Sequence, residues 1–440
     1  MSNVLHPVLH EALNAAVLRA PRQATRRDAQ LPAVPGKAHA IIGMRRAGKT
    51  TYLHQVHAER LVGGQAAERT LYLNFDDERL AELPIEQLNS LVEEYYRRFP
   101  QFRGRERVTW LLDEIQWVSG WERFVRRMLD TEQVEIVVSG SSARMLSREV
   151  HTSLRGRGME TIIRPFSFRE FLRHRGAEPE RPDWLAPADR SRLESHFLAY
   201  LAEGGFPEAQ GLSPQVRVNL LQGYVDTVLF RDVVERYQVS QVAALRWLTR
   251  QFLKNAASLF SVHKFAQDLK SQGEGVGKDT LHAMVGQLED AFLVRTVALA
   301  TESERRRNSN PRKVYPVDPG LIGAFDRSGR ANLGHALETV VVHELDRRGA
   351  EVGYVRTEDG YEVDFLTRYF DGREELVQVC TSPTMPEIQE REFRALEGAA
   401  REYPKATRRL LTLTRDAMPT QAPPGVIVQP AYEWLLMPAA

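Results

Sequence analysis

One eight-residue segment, Gly43-Met44-Arg45-Arg46-Ala47-Gly48-Lys49-Thr50, limits what this chain can be more than any other. It fits the pattern G-x-x-x-x-G-K-[ST]. An apolar run, AHAIIGM (38–44), leads into it and a helical stretch follows. In that setting the loop's backbone N–H groups can surround phosphate oxygens, and the field at the helix start favours the same negative charge. Gly43 and Gly48 permit close backbone approach, Lys49 reaches the β/γ oxygens, and the Thr50 hydroxyl binds Mg²⁺. The expected cofactor set is therefore ATP with Mg²⁺. It would be held by Gly43, Arg45, Arg46, Ala47, Gly48, Lys49, Thr50 and Thr51. Lysine is scarce here, 8 of 59 basic residues, so its presence at this place is less easily accidental.

The same region repeats short apolar runs separated by amphipathic stretches. They are LYLNF (71–75), VTWLLDE (108–114) and VEIVVSG (134–140). Runs this short, rich in Ile, Val and Leu, suit strands covered on both faces, and the spacers are long enough for crossover helices. The pattern predicts βαβ units and a mostly parallel sheet. Asp113 and Glu114 end one such run. An acid there can hold the water shell of Mg²⁺, and a following Glu can orient and deprotonate an attacking water. The next run ends in SGSS (139–142), where Ser139 or Ser141 can contact the γ-phosphate or that water. Helix capping by Ser141 or Ser142 is the plainer alternative. In SLRGRGMET, Arg155 or Arg157 can stabilise transition-state charge across a subunit boundary, or simply be surface arginine.

Composition excludes several classes. With 42% hydrophobic and 27% charged residues over 440 positions, the chain is globular, with about three domains by length. No apolar run approaches the roughly 18 residues that span a bilayer. The N-terminus, MSNVLHPVLHEALNAAV, lacks the pattern of a secretory signal. Cys380 is the only cysteine, so an internal disulfide or a Cys-rich zinc site is impossible. A cytoplasmic protein without membrane contact is expected. The net charge of +1 conceals basic segments. Residues 1–50 carry eight Lys/Arg against Glu11 and Asp28, and residues 144–175 carry eight Arg against three acids. Local basic surfaces attract polyanions even when the total is near zero.

Residues 1–37 read as a polar helix and a Pro/Gly linker. Residues 190–300 read as almost wholly helical, broken at EGGFPE (203–208) and SQGEGVGK (271–278). Strand signals return from 313, in VYPVD, VGYVRT, YEVDFLTR, EELVQVC, RRLLTLT and GVIVQP, with a helix at LGHALETVVVHELDRR.

GMRRAGKTT, LYLNFDDERL, LLDEIQ, VVSGSSARML and RPFSFREFL follow one another in an order that resembles a family of bacterial and archaeal AAA+ ATPases with a C-terminal restriction-nuclease-like domain. YLAEGGFPE, RDVVERY, LEDAFLV, VDPGL, LETVVVHEL, EVDFL and ELVQVC extend the resemblance over nearly the whole chain. It implies an α/β fold class: a P-loop AAA+ parallel-sheet core, a helical lid, a winged-helix-like segment and a C-terminal α/β domain of the PD-(D/E)xK kind. The expected limits are 1–37, 38–180, 181–245, 246–312 and 313–440. The resemblance also makes Ser139 a sensor, Arg155 or Arg157 a finger, and Pro207 a neighbour of adenine. Gly204, Gly205 and Pro207 can equally be a helix break.

In the C-terminal region, Glu338, Asp364, Gln378 and Cys380 match the layout of a metal-dependent nuclease site. Gln378 stands where an acid is usual and Cys380 where lysine is usual, so loss of cleavage is expected. Glu362 and Asp364 can also be ordinary strand acids. Residues 254–300 read as three helices and a strand, the third helix capped by Asp279 or Thr280. Lys278, His282 and Gln287 would be exposed on it. The following TESERRRNSNPRKVY reads as a wing whose Arg305, Arg306, Arg307, Arg312 and Lys313 contact phosphates. A subunit contact is the alternative for this segment. The expected partners are DNA, with branched DNA as one form, and further copies of the chain in an oligomer, with a ring as one form. Two other functions fit: a nucleotide-gated switch that docks a protein partner, and a metal-dependent nuclease.

Overall fold

The structure is a computed structural model that describes residues 5–18, 24–32, 34–80, 83–140, 154, 156–326, 332–381 and 386–438. Contacts divide the chain into two units, Met1–Arg164 and Pro165–Ala440. Among the described residues, no helix is long and apolar enough to cross a membrane.

The first unit is built on a five-stranded sheet. Its strands are β1 (Ala38–Ile42), β2 (Thr70–Asn74), β3 (Val108–Asp113), β4 (Val134–Ser139) and β5 (Gly158–Ile162), ordered β2-β3-β4-β1-β5. All neighbours are parallel. The four expected apolar runs supply β1 to β4, and β1, β3 and β4 are buried along their whole length. The edge strand β5 escaped the sequence pattern because it is only partly buried, and Glu160 interrupts its apolar character. Among the described residues, this unit also holds helices α1 (Pro7–Leu18), α2 (Lys49–Val62), α3 (Ile85–Arg98) and α4 (Trp121–Thr131). Tyr52, Leu53 and Val56 of α2 pack on Ile41, Leu111 and Val137 of the sheet.

The expectation of a polar N-terminal helix is corrected. Leu9, Leu13 and Ala16 of α1 are buried, and the helix packs against β2 and α3. The Glu135 carboxylate in the buried strand β4 is satisfied rather than stranded. Arg60 donates two hydrogen bonds to it, at 2.9 and 2.6 Å, and the Thr109 hydroxyl a third at 2.9 Å.

The second unit starts with α5 (Phe168–His174), capped by Ser167 and Glu170 in a reciprocal pair, then α6 (Pro187–Glu203) and α7 (Pro214–Thr227). It continues through α8 (Val242–Lys254), β6 (Leu259–Phe260), α9 (Val262–Ser271), α10 (Lys278–Asp290), β7 (Val294–Val297), α11 (Glu304–Ser309) and β8 (Arg312–Pro316). The three strands form an antiparallel sheet ordered β6-β8-β7. Neither Asp279 nor Thr280 caps α10. The helix begins at Lys278 with Gly277 as its N-cap, so both lie in its first turn. The expected limit at 312/313 falls inside β8, and the expected limit at 180/181 lies beyond the change of unit at 164/165.

Helix α12 (Leu333–Arg347) precedes β9 (Glu351–Arg356), β10 (Glu362–Arg368) and β11 (Glu374–Cys380). Helix α13 (Pro386–Glu402), β12 (Thr407–Thr412), β13 (Val426–Pro430) and α14 (Ala431–Leu436) close the chain. The sheet order is β13-β12-β11-β10-β9, antiparallel through β9, β10 and β11, and parallel from β11 to β13. One face carries α12 and α14, through Leu337, Val341, Phe365, Val377, Leu411 and Trp434 among others. Leu366, Leu376 and Leu410 pack with Phe393, Leu396 and Ala399 of α13.

Candidate functional site

The site in the first unit forms at the carboxyl ends of the parallel strands. There the order of the strands reverses beside β1, the usual position for a ligand in such a sheet. Gly43 leaves β1 at φ +145°, where a Cβ would overlap the carbonyl oxygen of Ile163. Only glycine fits. Gly48 is the N-cap of α2 at φ +100°, and Arg46 takes a left-handed φ of +66°. Arg46, Thr50 and Thr51 are exposed, Arg45 is half-buried, and Ala47 is buried. The Lys49 ammonium is almost enclosed and donates to the carbonyl oxygens of Gly43 and Met44, at 3.0 and 3.1 Å. The loop thus already gathers an ammonium and the N–H groups of a helix start into one small space.

Strand pairing brings the acids to the same edge. Asn74 is opposite Asp113 across β2 and β3, and Ser139 of β4 is opposite Ile41 of β1. Asp113 is 1% exposed. Its carboxylate accepts one hydrogen bond from the Tyr72 hydroxyl at 2.7 Å and another from the Ser139 hydroxyl. The backbone N–H of Glu114 in turn donates to Ser139 Oγ at 3.4 Å. Glu114 has a left-handed φ of +54°, and Gln116 donates to its carboxylate. Asp113, Glu114 and Ser139 therefore sit at the ends of the adjoining strands β3 and β4, and β1, paired with β4, leads into the loop that ends at Lys49 and Thr50.

Two contributors were not visible in the sequence. Tyr72 looks like one more apolar residue of LYLNF, yet its hydroxyl orients Asp113. Arg27 lies in what reads as linker. It is 5% exposed and donates to the carbonyl oxygens of Ala47, at 2.9 Å, and of Arg164. Gln55 of α2 holds its backbone on both sides, accepting from N–H at 2.7 Å and donating to the carbonyl at 3.1 Å.

The two arginine candidates separate. Arg155, like Ser141 and Ser142, is outside the described residues. Arg157 pairs with Asp130, and its carbonyl accepts from Ala38 N–H at 2.8 Å. That places it where β1 begins, whereas the phosphate loop follows where β1 ends. Five residues of strand, about 17 Å, lie between them. Arg157 cannot serve its own chain's loop.

In the second unit, Pro207 opens a short 3₁₀ turn, Pro207–Ala209. Gly204 and Gly205 have a structural task. Asp318 accepts from the N–H of Gly205 at 2.6 Å and of Gly320 at 2.9 Å. A Cβ on Gly204 would overlap the Asp318 carboxylate, and one on Gly205 the carbonyl oxygen of Phe166. Burial pushes the Asp318 carboxyl up to about 7, against the two N–H bonds that favour its charged form.

Lys278 and His282 are exposed on α10, and Gln287 is half-buried. Arg305 and Arg306 are exposed on α11. Arg307 is tied back to Glu304 and to the Thr301 carbonyl oxygen, both at 2.9 Å. Arg312 is half-buried, 3.5 Å from Thr296 Oγ1. It lines a groove of about 430 Å³ with Lys278, His282, His263 and Asn310.

Lys313 is corrected. It is 3% exposed, so its ammonium is turned into the fold and not presented to a phosphate. Its ammonium lies 2.8 Å from Glu362, 2.8 Å from Asp364 and 3.4 Å from Glu338. Asp364 and Gln378 sit on the neighbouring antiparallel strands β10 and β11. Gln378 Oε1 accepts from Asp364 N–H at 3.1 Å. Cys380 is buried at the end of β11.

The profile described as "AAA domain" matches residues 35–172, and one for a domain of unknown function matches 194–332. The uncharacterized protein MJ1544 of Methanocaldococcus jannaschii is 31% identical over 86% of this chain and 81% of its own. An uncharacterized protein of Haemophilus influenzae is 30% identical over 79% of this chain and 82% of its own. Among solved structures, the Walker-type ATPase PABY2304 of Pyrococcus abyssi is similar at 14% identity and a TM-score of 0.40. That match covers 72% of this chain and 95% of the other. The Aeropyrum pernix Orc1 protein in complex with DNA is similar at 17% identity and a TM-score of 0.27, over 74% and 94%. A phosphate loop, a strand-end acid pair and relatives of this identity across most of their length lead to one assignment: the chain belongs to the family of AAA-domain proteins that it shares with these archaeal and bacterial relatives.

Proposed function

We propose that the chain is an ATP-hydrolysing AAA+ protein that acts on DNA as a homo-oligomer, with branched or otherwise structured DNA as its substrate. The observation that carries the ATPase reading is the Asp113 carboxylate. Tyr72 and Ser139 hold it as an acceptor beside Glu114, at the sheet edge where the phosphate loop starts. The residues fit Mg²⁺. Thr50 offers an exposed hydroxyl and Asp113 a hard carboxylate, the donors this ion takes. Bound there with the nucleotide, the ion would supply charge neutralisation of the β- and γ-phosphates.

The chain's own groups do the rest. Lys49 exchanges the carbonyl oxygens of Gly43 and Met44 for phosphate oxygens, bringing its charge to the leaving side. Backbone N–H groups from Gly48 to Thr51 bind the phosphates from the helix start. Glu114 accepts a proton from the water that attacks the γ-phosphorus, the β–γ bridging oxygen departs with ADP, and inorganic phosphate forms. Ser139 links Asp113 to the Glu114 backbone and so reports the state of one to the other. Arg157 or Arg155 of an adjacent subunit would act as the finger, which fits the distance of Arg157 from its own loop.

The DNA reading rests on the second unit. Three helices and the antiparallel β6-β8-β7 sheet follow one another as in a winged helix, with α10 as recognition helix and 298–311 as wing. Arg305, Arg306, Lys278, His282 and Arg312 present positive charge or donors there. The sheet of β9 to β13 with its flanking helices supports a nuclease-like domain, and the lid reading of α6 and α7 rests on the resemblance alone.

Turnover measured with single-stranded, duplex, forked and four-way DNA tests the reading. Lys49→Ala should abolish nucleotide binding. Glu114→Gln should bind ATP while its turnover falls about 100-fold or more. Several-fold stimulation by branched DNA is the expected outcome. An ATPase indifferent to all DNA would mean instead a nucleotide-gated switch for a protein partner.

A further inference from the structure

The resemblance to metal-dependent nucleases implies a divalent ion held near Glu338, Asp364 and the residues at 378 and 380. The side chains do not fit one. Carboxylate oxygens of Glu362, Asp364 and Glu338 lie 2.8, 2.8 and 3.4 Å from Lys313 Nζ, hydrogen-bonding distances that suit an ammonium. Mg²⁺ draws its oxygens to about 2.0–2.1 Å. Among the described residues, no three His, Cys, Asp or Glu side chains are arranged to hold a metal ion. The second oxygen of Asp364 is taken by the N–H of Val379 at 2.9 Å, and Tyr315 donates to Glu338 at 3.2 Å.

The two departures from the nuclease pattern belong to the same design. Gln378 uses both ends of its amide, accepting from Asp364 N–H and donating to Glu392 Oε2 at 2.6 Å. An acid at 378 would face the buried Glu392 as a like charge, with no proton to donate. Cys380 leaves that strand without an ammonium, and β8 delivers one from a different strand. Despite a burial that favours the neutral amine, Asp364, Glu338 and Glu362 hold the Lys313 ammonium well above its usual range.

We propose that Lys313 is the resident cation of this carboxylate cradle: its tethered ammonium takes the position that a divalent ion takes in metal-dependent nucleases, and the site works without a metal. The C-terminal domain then neutralises its own acids and does not cut phosphodiesters by metal-activated water.

Mn²⁺ binding to the nucleotide-free, full-length protein, counted by electron paramagnetic resonance, tests this. Wild type and Glu362→Gln should bind the same number of ions, because Glu362 has no metal to lose. Lys313→Ala should gain one Mn²⁺ per chain, and Lys313→Ala/Asp364→Asn should lose it again. If Lys313→Ala unfolds, Mn²⁺ should restore its thermal transition, since the ion replaces the missing charge. A variant that stays unfolded with Mn²⁺ leaves the decision to the wild type, Glu362→Gln and Asp364→Asn set. An ion bound by wild type and absent from either carboxylate variant overturns the proposal. So does Mn²⁺-dependent cleavage of DNA by wild type that Asp364→Asn abolishes, or a folded Lys313→Ala that gains no ion.

Discussion

At the residue scale, the hydroxyl of Ser139 is the hinge of the nucleotide site. It donates to Asp113 and accepts from Glu114 N–H. A hydrogen bond to a charged group contributes about 1.5–3 kcal/mol, so Ser139→Ala should lower the turnover number about 10- to 100-fold. ATP affinity should change far less, because the phosphate loop is untouched. Steady-state kinetics beside nucleotide binding by calorimetry separates the two effects. Loss of affinity with an unchanged turnover number would assign Ser139 to binding alone. Residues such as Gly43, Lys49 and Asp113 were legible in the sequence because spacing within one loop or strand end announces them. Tyr72, Arg27 and Lys313 were not. Each acts on a partner between 20 and 137 positions away, and local pattern carries no record of such a meeting. Lys313 shows the consequence. Beside Arg312 it reads as part of a basic wing, whereas strand alternation turns the two side chains to opposite faces of β8.

A second residue prediction concerns Asp318. Its folded carboxyl titrates near 7, raised by burial above the ordinary aspartate value. Folding therefore favours the protonated form. The associated stability is complete below about pH 4 and is lost as pH rises through about 7. Urea unfolding of wild type against Asp318→Asn should show this as a difference. Between pH 5 and 7 wild type should lose up to about 1.4 kcal/mol per pH unit relative to the variant. Parallel curves would remove Asp318 as the titrating group.

At the element scale, strands were the most legible feature, since β1 to β4 and β8 to β13 all coincide with strand signals read from the sequence. Amphipathic elements were less so. The pattern of α1 contains enough polar residues to look solvated, yet Leu13 is fully buried. Removing its side chain should cost about 2–4 kcal/mol, readable as a lowered denaturant midpoint. An unchanged midpoint would mean that α1 can detach without loss. The GGFPE break illustrates a motif with two readings. Gly205→Ala would push a methyl into the Phe166 carbonyl oxygen, which itself accepts from Tyr200 at 2.7 Å. The same backbone shift would loosen Asp318. Destabilisation of roughly 2–4 kcal/mol is expected even without nucleotide, because the clash is internal to the fold. A variant of normal stability that has lost only its response to ATP would favour the lid reading instead.

At the scale of the whole molecule, charge is the deciding quantity. With 59 Lys and Arg against 58 Asp and Glu, long-range attraction for a polyanion is close to nil, so any grip on DNA has to come from local groups. The five cations read into the wing do not contribute alike. Lys313 is enclosed by carboxylates and Arg307 is tied to Glu304, which leaves Arg305 and Arg306 presented on α11 and Arg312 in the groove. Each phosphate neutralised by a side chain adds about 0.9 to the slope of log affinity against log salt. Arg305→Ala/Arg306→Ala should therefore weaken DNA binding at low salt and flatten that slope by about 2. Arg307→Ala should flatten it by less, since much of its charge is already spent on Glu304. Fluorescence anisotropy with one four-way junction over a salt series provides the slopes. If the double variant keeps the wild-type slope, α11 does not touch DNA, and the basic surface that does must be sought elsewhere in the chain.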